Sequence, residues 1–129
     1  MTLAMHDWKI LLVDDEEEFI TTLAERLSLR GIAARVALNG EEGLRLMDED
    51  PPHVMILDVL MPGMKGLDVL KLVKAKRPDV QVILLTGHGS TRDGMEGMRH
   101  GAFDYMMKPL SIDALLAKLG EAMDKVGQP

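Results

Sequence analysis

Apolar positions fall into two kinds of pattern that alternate along the chain. Short unbroken runs, Ile10-Leu11-Leu12-Val13, Val54-Met55-Ile56-Leu57 and Val82-Ile83-Leu84-Leu85, show no polar alternation. Such runs are expected of parallel strands covered on both faces. With their flanks they predict strands over Lys9 to Val13, His53 to Leu57 and Val80 to Leu85. Two further β-like runs, Ile32 to Ala37 and Phe103 to Met107, carry polar residues and suit sheet edges.

Between the runs the apolar spacing becomes helical. Phe19, Ile20, Leu23 and Leu27 share one face, and Gly31 stands where a left-handed terminal residue is usual. Asn39 is a suitable N-cap for a second helix carrying Leu44 and Met47, which Pro51-Pro52 prevents from continuing. Leu67, Leu70 and Val73 mark a third helix closed by Pro78. Ser111 caps a last one, with Ile112, Leu115, Leu116, Leu119, Met123 and Val126 in one stripe. The stretch from Thr91 to His100 is a poorer helix, because Gly94 and Gly97 lie inside it and each costs about 1 kcal/mol relative to alanine. Strict alternation of strand and helix predicts a doubly wound α/β sheet, (βα)5, in one domain over 1–129 with its core at about 9–126.

Composition narrows the function classes. Twenty-one acids against fifteen Lys and Arg give a net charge of -6 over 129 residues. That balance argues against direct nucleic-acid binding, and the basic cluster Lys71, Lys74, Lys76 and Arg77 reads as a solvated helical face. The absence of cysteine excludes disulfides and thiolate sites and is compatible with the cytoplasm. No apolar run approaches the roughly 20 residues of a membrane span. Neither a signal peptide nor a histidine-based metal site is expected.

The chemistry gathers at the strand ends, where open parallel sheets bind ligands. Asp14 and Asp15 follow the first strand, Asp58 ends the third, Thr86 the fourth and Lys108 the fifth. Taken singly, each has a bland reading as a helix-dipole partner or turn residue. Together they place three carboxylates, a hydroxyl and an amine on one rim, which turn chemistry has no reason to arrange. Clustered carboxylates repel unless they share protons or bind a cation. All-oxygen ligands suit magnesium or manganese. With charge neutralised by the ion and Lys108, a carboxylate can attack a phosphoryl group to give an aspartyl phosphate.

These residues resemble the receiver domains of bacterial two-component response regulators. The resemblance runs from about Lys9 to Val126 and rests on Leu12-Val13-Asp14-Asp15, Leu57-Asp58-Val59-Leu60-Met61-Pro62-Gly63-Met64-Lys65-Gly66, Leu85-Thr86-Gly87 and Tyr105-Met106-Met107-Lys108-Pro109. It implies a flavodoxin-like three-layer sandwich with strand order 2-1-3-4-5. It further implies Asp58 as phosphoacceptor and Asp15 as a direct magnesium ligand, with Asp14 in support and the Leu60 carbonyl completing the protein ligands. Thr86 becomes the switch hydroxyl, Tyr105 the switch aromatic and Lys108 the phosphoryl-binding amine. Lys108-Pro109 is where such domains usually have a cis bond, and His88, two residues past Thr86, often faces the phosphoryl site. The implied partner is a sensor histidine kinase or phosphotransfer protein, with a homodimer through helix 4, strand 5 and helix 5 as a further expectation. Met95, Met98, Met106 and Met107 cluster there and could serve a partner surface. The resemblance implies a phosphoacceptor rather than an enzyme acting on a separate substrate.

Other readings fit less well. A stand-alone phosphotransfer intermediate is compatible with the same residues. A flavodoxin-like FMN protein needs a Ser/Thr/Gly-rich phosphate loop, where this chain has Asp14 to Glu18. A magnesium phosphatase of the aspartyl phosphate type usually has a second aspartate two residues after the nucleophile, and that position is Leu60. The tail Gly127-Gln128-Pro129 reads equally as a terminus or as a linker to an output domain.

Overall fold

In a computed structural model, which describes residues 3–87 and 91–126, five parallel strands form one sheet of order β2-β1-β3-β4-β5. The strands are β1 (Ile10–Val13), β2 (Ala34–Ala37), β3 (Val54–Asp58), β4 (Gln81–Thr86) and β5 (Asp104–Met107). The helices are α1 (Glu17–Ser28), α2 (Gly40–Glu49), α3 (Gly66–Lys76), α4 (Thr91–Arg99) and α5 (Ile112–Met123). A single 3-10 turn, Met5–Asp7, precedes the sheet. The expected (βα)5 order is therefore present, and the two strands with polar residues are the edges.

Successive strand residues point to opposite faces, so each unbroken apolar run supplies two cores at once. Leu11, Val13, Met55, Leu57, Val82 and Leu84 face one cluster, which holds Met47 of α2 and Val69, Leu70 and Val73 of α3. Ile10, Leu12, Val54, Ile56, Ile83 and Leu85 face the other, with Ile20, Leu23 and Leu27 of α1 and Leu115, Leu119 and Ala122 of α5. The result is three layers, helix on sheet on helix.

Local chemistry sets the helix ends. The Asn39 side chain accepts from Glu42 N at 2.8 Å, and Ser111 Oγ from Ala114 N at 3.3 Å, as capping predicts. Gly31 adopts φ 84°, the left-handed region expected of it. Two expectations need correction. Lys74 does not simply belong to a solvated face: its ammonium donates to Pro78 O and Val80 O, both at 2.8 Å, and so ties α3 to the turn that leads into β4. Lys76 pairs with Asp48 of α2 at 3.6 Å.

The second correction concerns α4, whose two glycines count as a weakness in an isolated helix and are its points of closest packing. Met95 and Met98 are exposed while Gly94 and Gly97 are buried. A Cβ on Gly97 would stand 2.0 Å from Leu84 Cδ1, and one on Gly94 would stand 2.5 Å from Tyr105 Cδ2. The helix accepts poor propensity because only a bare backbone lets it lie against β4 and the Tyr105 ring. Met107 is also exposed, whereas Met106 packs against the α1 and α5 side of the sheet.

Candidate functional site

The carboxyl ends of β1, β3, β4 and β5 deliver four side chains to one rim. Asp14 immediately follows β1 and is fully buried, its backbone N–H donating to Ala37 O of β2 at 3.1 Å. Asp58 is the last residue of β3 and only 4% exposed. Its place is fixed from below by the sheet and from the side by Gly66 at the start of α3. A Cβ there would stand 2.3 Å from Asp58 O and 2.7 Å from Val59 Cα, and Gly66 N donates to Val59 O at 3.1 Å. Thr86, the buried end of β4, donates through Oγ1 to Met106 O at a long 3.4 Å, and its carbonyl accepts from Lys108 N at 2.9 Å. Lys108 then precedes a cis bond to Pro109.

The Lys108 ammonium is the hub. It lies 2.8 Å from Asp14 Oδ2, 2.5 Å from Glu16 Oε1 and 3.7 Å from Asp58 Oδ1, and it sits over the Phe19 ring at 4.7 Å from the centroid. Burial works to lower its pKa, but the adjacent Asp14 and Glu16 carboxylates and the nearby Asp58 outweigh it and raise the value. Among the described residues Asp14 Oδ2 has no donor in hydrogen-bond geometry, so its contact with Lys108 is an ion pair off the ideal line. The other oxygen, Oδ1, accepts from Glu16 N at 2.9 Å.

Asp58 is the perturbed acid of the group. Burial first, then the Asp14 carboxylate, pushes it up to about 7, against the opposing pull of Lys108 and the Leu60 N–H, while Asp15 adds to the rise. The folded chain therefore keeps this proton at pH values where the unfolded chain, with a value near 3.8, has lost it. A raised carboxyl contributes stability that is complete below the unfolded value and is lost as pH rises through the folded one. In metal-free buffer, wild type should lose stability relative to Asp58→Asn between about pH 4 and about pH 8, the variant being the more stable at the upper end. Chemical denaturation across that range checks it. Parallel curves for the two proteins would contradict the assignment of the shift.

One atom each from Asp14, Glu16 and Asp58 can be chosen so that all lie within 4.8 Å of one another. A buried carboxylate oxygen that lacks a hydrogen-bond donor, a second buried acid and an all-oxygen donor set are what a hard divalent cation accepts, so the residues fit magnesium. Of the residues expected from the sequence, Asp14, Asp58 and Lys108 come together directly. Asp15 is exposed and outside that trio, acting on Asp58 through its charge. Leu60 sits beside Asp58, its N–H donating to Oδ1 at 3.4 Å. Tyr105 is partly buried against the α3 side of the core. His88 lies outside the described residues. Glu16 is the participant that sequence reasoning missed. It stood in an acidic run that read as helix-dipole chemistry, and no spacing rule separates it from Glu17 and Glu18.

The family model described as the response regulator receiver domain matches residues 10–120. The chain belongs to that family. It is 34% identical over 113 residues to the acid tolerance regulatory protein ActR of Rhizobium meliloti (strain 1021), covering 88% of this chain and 58% of the relative. It is 37% identical over 123 residues to the uncharacterized transcriptional regulatory protein YkoG of Bacillus subtilis (strain 168), covering 95% and 54%. The receiver thus spans little more than half the length of these relatives. Among solved structures, the receiver domain of NtrX from Brucella abortus superposes with a TM-score of 0.86 at 30% identity, covering 89% of this chain and 98% of that one. A response regulator receiver domain protein from Clostridium thermocellum gives 0.87 at 33% identity, covering 92% and 95%. The strand order and flavodoxin-like architecture expected of a receiver are therefore those of this chain, and its role lies in two-component signalling. The FMN-binding and phosphatase readings are not favoured. Among the described residues no helix is long and apolar enough to cross a membrane.

Proposed function

We propose that Asp58 is the phosphoacceptor of this receiver and takes a phosphoryl group from the phosphohistidine of a sensor histidine kinase or phosphotransfer protein. The observation that carries the reading is a buried carboxyl at the end of β3 with an ammonium at 3.7 Å and two further carboxylates within metal-sharing distance. An Asp58 carboxylate oxygen attacks phosphorus, the bond from phosphorus to the donor imidazole nitrogen breaks, and the imidazole keeps the electron pair. Asp14, Asp15, Asp58 and the Leu60 carbonyl would hold magnesium, and Glu16, grouped with Asp14 and Asp58, could share it. When bound, the ion neutralises the carboxylates and the phosphoryl oxygens between which charge otherwise accumulates. Lys108 bonds a phosphoryl oxygen, and the domain works in the cytoplasm. Exposure of wild type to acetyl phosphate and magnesium should add one phosphate of mass, labile to hydroxylamine. No added mass would overturn the reading.

Thr86 and Tyr105 form the switch in this proposal. Among the described residues the Thr86 hydroxyl has a single long bond to leave, and the Tyr105 ring lies where a side chain on Gly94 would stand. Phosphorylation shifts a two-state population by drawing Thr86 towards the new oxygens and letting the ring move. The exposed Met95, Met98 and Met107 give the α4, β5, α5 face adaptable contacts for a partner or a second copy. Gly94→Ala should push the ring from its place before any phosphorylation, moving the Tyr105 aromatic NMR resonances in the direction that phosphorylation moves them in wild type. Unmoved resonances would separate ring position from switching.

A further inference from the structure

Glu16 occupies the N-cap position of α1, yet its side chain makes no cap hydrogen bond. It turns away from the helix to Lys108, 92 residues on in the chain, at 2.5 Å. Its neighbours Glu17 and Glu18 in the first turn of α1 remain where the helix dipole favours acids. The contact is not an accident of a flexible lysine, because Lys108 is only 16% exposed and is held from three directions. Asp14 takes it from the buried side, the Phe19 ring from α1, and Glu16 from the solvent side.

An ammonium has three protons to donate, and here its close oxygens are on Asp14 and Glu16 while Asp58 stands outside hydrogen-bond reach at 3.7 Å. A phosphoryl group on Asp58 would bring oxygens of higher charge towards the ammonium, and drawing the ammonium to them would lengthen its present contacts. Glu16 is the contact easiest to give up, since its carboxylate is 61% exposed and water can replace the lysine. Asp14 is fully buried and has no such replacement.

We infer that Glu16 is a positioning residue that holds the Lys108 ammonium away from Asp58 before phosphorylation and then competes with the phosphoryl group for it. This rests on the reading of Asp58 as phosphoacceptor and Lys108 as its phosphoryl ligand. Removing the Glu16 charge frees the lysine for Asp58 and favours the phosphorylated form, and the part of the effect that runs through Lys108 is the part that disappears when Lys108 is replaced.

The test is Glu16→Gln in wild-type and Lys108→Met backgrounds, with two readouts. In the unphosphorylated protein, the Lys108 Nζ and Hε resonances should shift in Glu16→Gln, a change that a merely structural role in α1 leaves unmade. With acetyl phosphate and magnesium, the ratio of phosphorylated to unphosphorylated protein at steady state should rise about two- to fivefold, the range expected for a partly exposed ion pair. In the Lys108→Met background the same substitution should change that ratio by much less. Unmoved lysine resonances would overturn the inference, and so would an equal gain without Lys108, which would assign the effect to net charge or to metal binding. A wild type that takes no label fails the phosphoacceptor reading instead, and the lysine resonances still decide where Glu16 holds the ammonium.

Discussion

Asp58→Asn is expected to take up no phosphate from acetyl phosphate while keeping its fold, whereas Asp15→Asn should weaken magnesium binding and slow labelling without abolishing the acceptor. The asymmetry follows from position. Asp58 is the buried acid that ends β3, with the Lys108 ammonium 3.7 Å from its carboxylate, and in the proposed reaction an amide cannot replace its nucleophilic oxygen. Its own environment prepares the reaction in an instructive way. Burial and the Asp14 carboxylate hold its pKa at about 7, so in the absence of a cation a large fraction of the acid is protonated near neutral pH and is a poor nucleophile. A divalent ion among the same carboxylates reverses that balance. Mass spectrometry of intact protein and of the Asp58 peptide, with unfolding curves for both variants, measures the outcome. Full labelling of Asp58→Asn would move the nucleophile elsewhere.

Gly66→Ala is expected to be the most damaging single methyl group in the chain. The added carbon would meet the backbone of Asp58 and Val59 at 2.3 and 2.7 Å, and backbone cannot turn aside as a side chain can. Overpacking typically costs about 1–3 kcal/mol, and a backbone obstacle belongs at the upper end. Alanine's better helix propensity recovers at most about 1 kcal/mol of that. Because the obstructed atoms are those that aim Asp58, the loss should appear twice, as a lower denaturant midpoint and as slower phosphorylation of the molecules that remain folded. By contrast, nothing stands within 4 Å of a Cβ built on Gly120, an α5 glycine, so Gly120→Ala should stabilise slightly and leave labelling unchanged. A Gly66→Ala protein with wild-type midpoint and labelling rate would show that α3 is free to retreat from the strand end.

The sequence by itself determined the layering and the location of the site. Unbroken apolar runs of four residues between turn formers are expected of strands covered on both faces, helical stripes cover one side each, and their alternation points to the doubly wound sheet as the arrangement that buries both. Once the sheet is parallel, every residue at a strand's end reaches the same rim, so Asp14, Asp58, Thr86 and Lys108 were legible as a group. What the pattern could not express was contact across that rim. Glu16 looks like Glu17 and Glu18 in any periodicity, and only the return of the chain 92 residues later brings an ammonium against it alone. The glycines of α4 likewise read as weakness, because propensity counts the helix in isolation, whereas the folded chain uses their missing side chains to seat Tyr105 and Leu84. Lys74 is the same case with charge, a basic residue by composition whose ammonium holds the Pro78 and Val80 carbonyls because the chain after α3 turns back within reach. Local pattern fixes which residues face inward; which atoms then meet is decided by the packing of elements distant in sequence.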